Sequence, residues 1–153
     1  MRRKLFLLLA VAGLLVGTSS VASAHAETFT VTGQDVTETF LDVNPCTGDP
    51  AQLTITYNFV LHITVDPTGG SHMTGTFTGT FEAVPLDPTL PSFTGHFTQW
   101  FGENLGPNSA GFWVTFNVKG TGSDGSTLSL NAVFQAHFSN GVLHVEFENF
   151  NCH

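Results

Sequence analysis

Positive charge is nearly missing from this 153-residue sequence, which sets four Lys and Arg against twelve Asp and Glu. Three of the four bases, Arg2, Arg3 and Lys4, stand together at the N-terminus, and Lys119 is the only one in the rest of the chain. One lysine makes no basic patch, so a nucleic-acid partner is excluded, and so is attraction to an anionic membrane surface. Cysteine is equally scarce, with only Cys46 and Cys152. Their separation excludes a Cys-x-x-Cys redox pair and a zinc knuckle. Helical periodicity is absent throughout. Enzyme signatures are absent too: no Gly-x-Ser-x-Gly, no His-Glu-x-x-His, no phosphate-cradling glycine loop, no dinucleotide fingerprint. No cofactor is implied.

Long apolar runs are confined to one place. Residues 5–16 follow the basic triplet as a continuous apolar stretch, and Ala22-Ser23-Ala24 and Ala24-His25-Ala26 are overlapping small-x-small sites. That is the pattern of a secretory signal peptide, too short for a membrane-spanning helix. The expected cut falls after Ala26, with Ala24 as the alternative, so residues 1–26 are the signal and 27–153 one secreted, acidic domain. No membrane span is expected in the mature chain. In an exported protein an even cysteine count reads as a disulfide, here Cys46 to Cys152.

What the sequence has in abundance is alternation. From Leu53 to Val65 every odd position is apolar, and the even ones are mostly Thr, Asn and His. A period of two held this long is one β-strand with a buried face. The same grammar recurs at 72–84, 93–101, 112–118, 128–138 and 142–150. Residues 27–43 form either one broken strand or two short ones. Asn140-Gly141 marks a tight hairpin. The chain is therefore all-β, an antiparallel up-and-down meander of seven or eight strands. A sheet of that width closes or splits. Alternating Gly and Phe on the inward parity, and cysteines after the first and last strands, favour a closed or nearly closed β-barrel over a β-sandwich. A transmembrane barrel would turn the same alternation inside out, but glycines interrupt its apolar face and no two aromatic girdles separate.

Three sets of residues are candidates for function. Pairing across Asn140-Gly141 sets His137 opposite His144 and Phe134 opposite Phe147, with Glu146 next along, a candidate zinc or copper site. The plainer reading is outward polar residues. Pairing Phe101 with Phe112 makes Trp100 and Trp113 cross-strand neighbours beside a loop at 102–111, where exposed indoles stack on sugars or anchor a protein partner unless the loop covers them. Last, the Phe-rich interior either is filled or holds a small apolar ligand, with Tyr57 and Gln99 as its inward polar groups.

The stretches 44–49 (Asn-Pro-Cys-Thr-Gly-Asp), 93–104 (Phe-Thr-Gly-His-Phe-Thr-Gln-Trp-Phe-Gly-Glu-Asn) and 120–126 (Gly-Thr-Gly-Ser-Asp-Gly-Ser), with a near-terminal Cys152, resemble an uncharacterised family of small secreted bacterial proteins. The resemblance covers nearly all of the mature chain and brings no function. In shape the expected barrel is similar to lipocalin-like and allene-oxide-cyclase-like barrels, and shape alone licenses no activity. The leading expectation is a non-enzymatic exported barrel that binds a small apolar molecule or a surface partner. A cyclase- or isomerase-type enzyme and a structural envelope-associated protein are the alternatives.

Overall fold

The computed structural model describes residues 25–152, without the side chains of residues 145–147. The N-terminal segment read as a signal lies outside the described residues. Seven strands follow one another: β1 (Glu27–Val43), β2 (Pro50–Val65), β3 (Ser71–Pro85), β4 (Phe93–Leu105), β5 (Ser109–Gly122), β6 (Thr127–Ser139) and β7 (Val142–Cys152). They form one antiparallel sheet in the order β1 to β7, each strand paired only with its neighbours in sequence. The meander agrees with the alternation that predicts it. The sheet is not closed: among the described residues no strand pair joins β1 to β7. Seven up-and-down strands leave the two edges running in the same direction, so closing them would need a parallel ladder. The link is covalent instead, a disulfide between Cys46 and Cys152 with Cα atoms 5.7 Å apart.

The sheet has two dissimilar halves. At the disulfide end, Ile55, Tyr57, Phe81, Phe97, Val118 and Leu130 form the buried core, with Val36, Phe40 and Cys46 packed against it. Residues from β1 to β6 meet there, so the sheet is curled with the Phe-bearing parity on its concave side. Three connections cap this end. Asn44 Oδ1 accepts from the Cys46 and Thr47 amides at 2.9 and 3.3 Å, and Gly48 takes a positive φ, which turns Cys46 toward the core. Leu86 N–H donates to Pro50 O, and Ser123 N–H donates to Ser92 O, tying the proline-rich β3–β4 connection to both neighbouring turns. Two of the stretches behind the family resemblance, 44–49 and 120–126, belong to these turns. At the far end the turns, residues 66–70, 106–108 and 140–141, are short. β2 alone is long enough to span about 50 Å, too far for one core to fill.

Two β-bulges decide which side chains face inward. β1 is one strand, not two. Between Gly33 and Val36 the register shifts, with Asp35 at φ 53° donating its N–H to Asn58 Oδ1 at 2.8 Å. The inward set thus passes from Phe29 and Val31 to Val36, Glu38 and Phe40. In β7 the hairpin begins as expected, Phe138 opposite Leu143, but the next pair is His137 with Val145. His144 is the extra residue. Beyond it Gln135 pairs with Phe147 and Phe134 with Glu148, which corrects the expected pairing of Phe134 with Phe147. The bulge is a matter of parity. Leu143 and Cys152 must both face the concave side, one odd and one even, and only an inserted residue reconciles them.

Candidate functional site

The concave face carries the aromatic residues. Every phenylalanine in the seven strands except Phe147 has the inward register. Rings in the middle of the face contact one another: Phe59 to Phe77 at 5.6 Å, Phe77 stacked on Phe101 at 5.7 Å, Tyr57 to Phe77 at 5.4 Å. The inward glycines do not leave a void among them. A Cβ on Gly75 would stand 2.4 Å from the Phe101 ring, so this glycine is the floor on which that ring lies. In the disulfide half Ile55, Tyr57, Phe81, Phe97, Val118 and Leu130 pack together as the buried core.

Tyr57 and Gln99, the two inward polar groups expected from sequence, have different surroundings. Tyr57 is 8% exposed, and its hydroxyl donates to Glu38 Oε1 at 3.1 Å. Glu38 reaches it because the β1 bulge turns Glu38 inward. Burial pushes the Tyr57 phenol above its ordinary 10.0, and the adjacent Glu38 carboxylate adds to the rise as hydrogen-bond acceptor and as charge. Gln99 sits between Phe77 and Phe116, half-buried. The structure does not bring it to the Tyr57–Glu38 pair. The phenol pKa makes a direct prediction, because Tyr57 is the only tyrosine. Ultraviolet titration of the folded protein should show tyrosinate forming above pH 10, and at the ordinary value in denaturant. The folded state holds that proton more tightly, so the contribution is intact below the ordinary value and lost as pH rises through the folded one. Tyr57→Phe removes this part of the alkaline destabilisation. Tyrosinate forming at the same pH in both states would show the bond to be absent.

The tryptophans are not direct partners. Phe101 pairs with Val114, not Phe112, so Trp113 lies opposite Gly102 and Trp100 opposite Thr115, one diagonal step away. Most of the expected loop at 102–111 is strand. Gly102 is a floor: a Cβ there would stand 2.3 Å from Trp113 Nε1. Trp113 is half-buried over it, while Trp100 remains 42% exposed on the convex face.

The histidine pair is displaced by the β7 bulge. His137 and His144 have ring centroids 6.3 Å apart but do not oppose each other. Glu146 has the register position opposite Ala136, on the other face from His137. Among the described residues no group of three His, Cys, Asp or Glu is placed to hold a metal ion. Two carboxyls elsewhere, Asp87 and Asp124, lie below the ordinary range because Thr89 and Ser126 donate to them from side chain and backbone. Both belong to exposed turns, so these perturbations report turn architecture.

Two depressions mark the surface of the described residues. One of about 500 Å³ is a shallow convex-side hollow over Gly95 and Gly120, bordered by Thr80, His96 and Lys119. The other, about 120 Å³, lies under the caps at the disulfide end against Leu90, Pro91 and Phe93. The far end of the concave face carries exposed apolar side chains. There Phe29 is 44%, Val31 43%, Leu143 41% and Phe138 39% exposed, although all four have inward registers. Among the described residues no helix is long and apolar enough to cross a membrane. No protein family, curated protein or solved structure matches the chain.

Proposed function

We propose that this chain is an exported, non-enzymatic binding protein whose concave sheet face takes a small apolar ligand at the end away from the disulfide. The observation that carries this reading is the contrast along one face. Ile55, Tyr57, Phe81, Phe97, Val118 and Leu130 are at most 8% exposed, whereas Phe29, Val31, Phe138 and Leu143 at the far end remain 39–44% exposed. Near the disulfide the comparable inward residue is Phe150 on edge strand β7, at 37%. Exposed apolar residues gathered on a concave face are unlike scattered surface ones, and covering them is favourable. Export is supported by the disulfide, which suits an oxidising compartment, and by the basic and apolar N-terminal pattern.

The reading is tested with the neutral fluorophore 1-N-phenylnaphthylamine. One saturable site is expected, and Val31→Asp or Leu143→Asp should weaken it about tenfold or more, since each puts a carboxylate into the apolar contact. Trp100→Ala should leave it unchanged. Loss of binding in Trp100→Ala alone would move the site to the convex face, and no saturable binding would refute the reading.

A further inference from the structure

Bases are confined to one face of the sheet, and the strand carboxylates other than Glu82 gather on the opposite one. Glu38, Asp42, Glu103, Glu146 and Glu148 have inward registers, as does Glu27 at the rim. The bases that the register assigns to a face, Lys119 and His62, His72, His96 and His137, all point to the convex side. The concave face therefore offers carboxylates and aromatic rings, with no base among the described residues to neutralise them.

In the open half these groups form one constellation across β4 to β7. Glu103 pairs with Phe112, and Glu148 pairs with Phe134. The Phe112 and Phe134 rings lie 5.9 Å apart, tilted at 52°. Two aromatic rings are thus flanked by a carboxylate on either side. A neutral apolar ligand covering this place would strip water from Glu103 and Glu148 and give nothing in return. A ligand with a positive group supplies the counter-charge and meets the negative faces of both rings.

We infer that the ligand of this face is a lipophilic cation, an apolar body carrying an amine or quaternary ammonium group seated between Glu103, Phe112, Phe134 and Glu148. This rests on the apolar-ligand reading above and adds the charge. The experiment compares three decyl compounds by calorimetry, each below its micelle concentration: decyltrimethylammonium, decanol and decyl sulfate. The cation should bind about tenfold more tightly than the alcohol, and the sulfate most weakly. Added salt should weaken the cation and leave the alcohol unchanged. Glu103→Gln combined with Glu148→Gln should bring cation and alcohol within about twofold of each other. The salt series on the unmodified protein makes the same distinction without a variant. Equal affinity for cation and alcohol, or tighter binding of the sulfate, overturns this inference and leaves the apolar reading standing. Binding of none of the three overturns both.

Discussion

Replacing both Cys46 and Cys152 with serine should cost about 4–5 kcal/mol of stability and lower the melting midpoint by roughly 10–20 °C. The bridge joins residues 106 apart, so its loss frees a very large loop in the unfolded chain. The folded side of the balance loses too. β1 and β7 are the two edges of the sheet and share no ladder, so the bridge is the covalent tie that holds one edge near the other. Cys46 also packs against Ile55, Tyr57 and their neighbours, and that packing depends on where the tie places it. Circular-dichroism melts with and without reductant measure the effect, and reduction of the unmodified protein should reproduce the serine variant. A loss below about 1 kcal/mol would show that core packing alone holds the curl.

Leu130→Ala should be the most damaging single truncation in the core, at about 3 kcal/mol with a range of 2–5. Leu130 is 1% exposed, the most deeply buried side chain described, and it lies opposite both Val118 and Cys152. Its removal leaves a hole beside the disulfide that a strand pinned from both sides closes poorly. Leu143→Ala is the matched control, on the same concave face but 41% exposed. It should cost about 1 kcal/mol or less, because little apolar area there leaves water on folding. Denaturant unfolding of the two variants reads the asymmetry directly. Equal losses would mean that the uncapped half is as tightly packed as the disulfide half.

The architecture is largely written in the alternation of β2 and its successors, and Asn140-Gly141 gives the last hairpin its correct start. Registers further from a turn are less legible. A bulge inserts one residue with little compositional signature, and Asp35 occupies the left-handed region without being glycine. The usable signal is conflict of parity: odd Phe29 and Val31 against even Val36 and Phe40, odd Leu143 against even Cys152. That conflict relocates Glu38 and Glu148 to the concave face and puts His144 out of register with His137, although their rings stay 6.3 Å apart. The β4–β5 register departs from expectation for another reason. Gly102 has the look of a strand breaker, whereas it is the bare backbone that allows the Trp113 indole to lie flat. Glycine under a cross-strand ring belongs to the strand.

Because each strand pairs only with the one before it, the order in which this protein acquires its structure is constrained. Every hairpin joins neighbours a short loop apart, so β-structure can grow along the chain one strand at a time with small loop-closure costs at each step. Only the bridge spans the whole sheet. It has no short-range precursor, and its two sulfurs meet after six successive hairpins have been laid down and curled. Oxidation is therefore expected to follow sheet formation, and the reduced chain should show β-sheet circular dichroism before the bond forms.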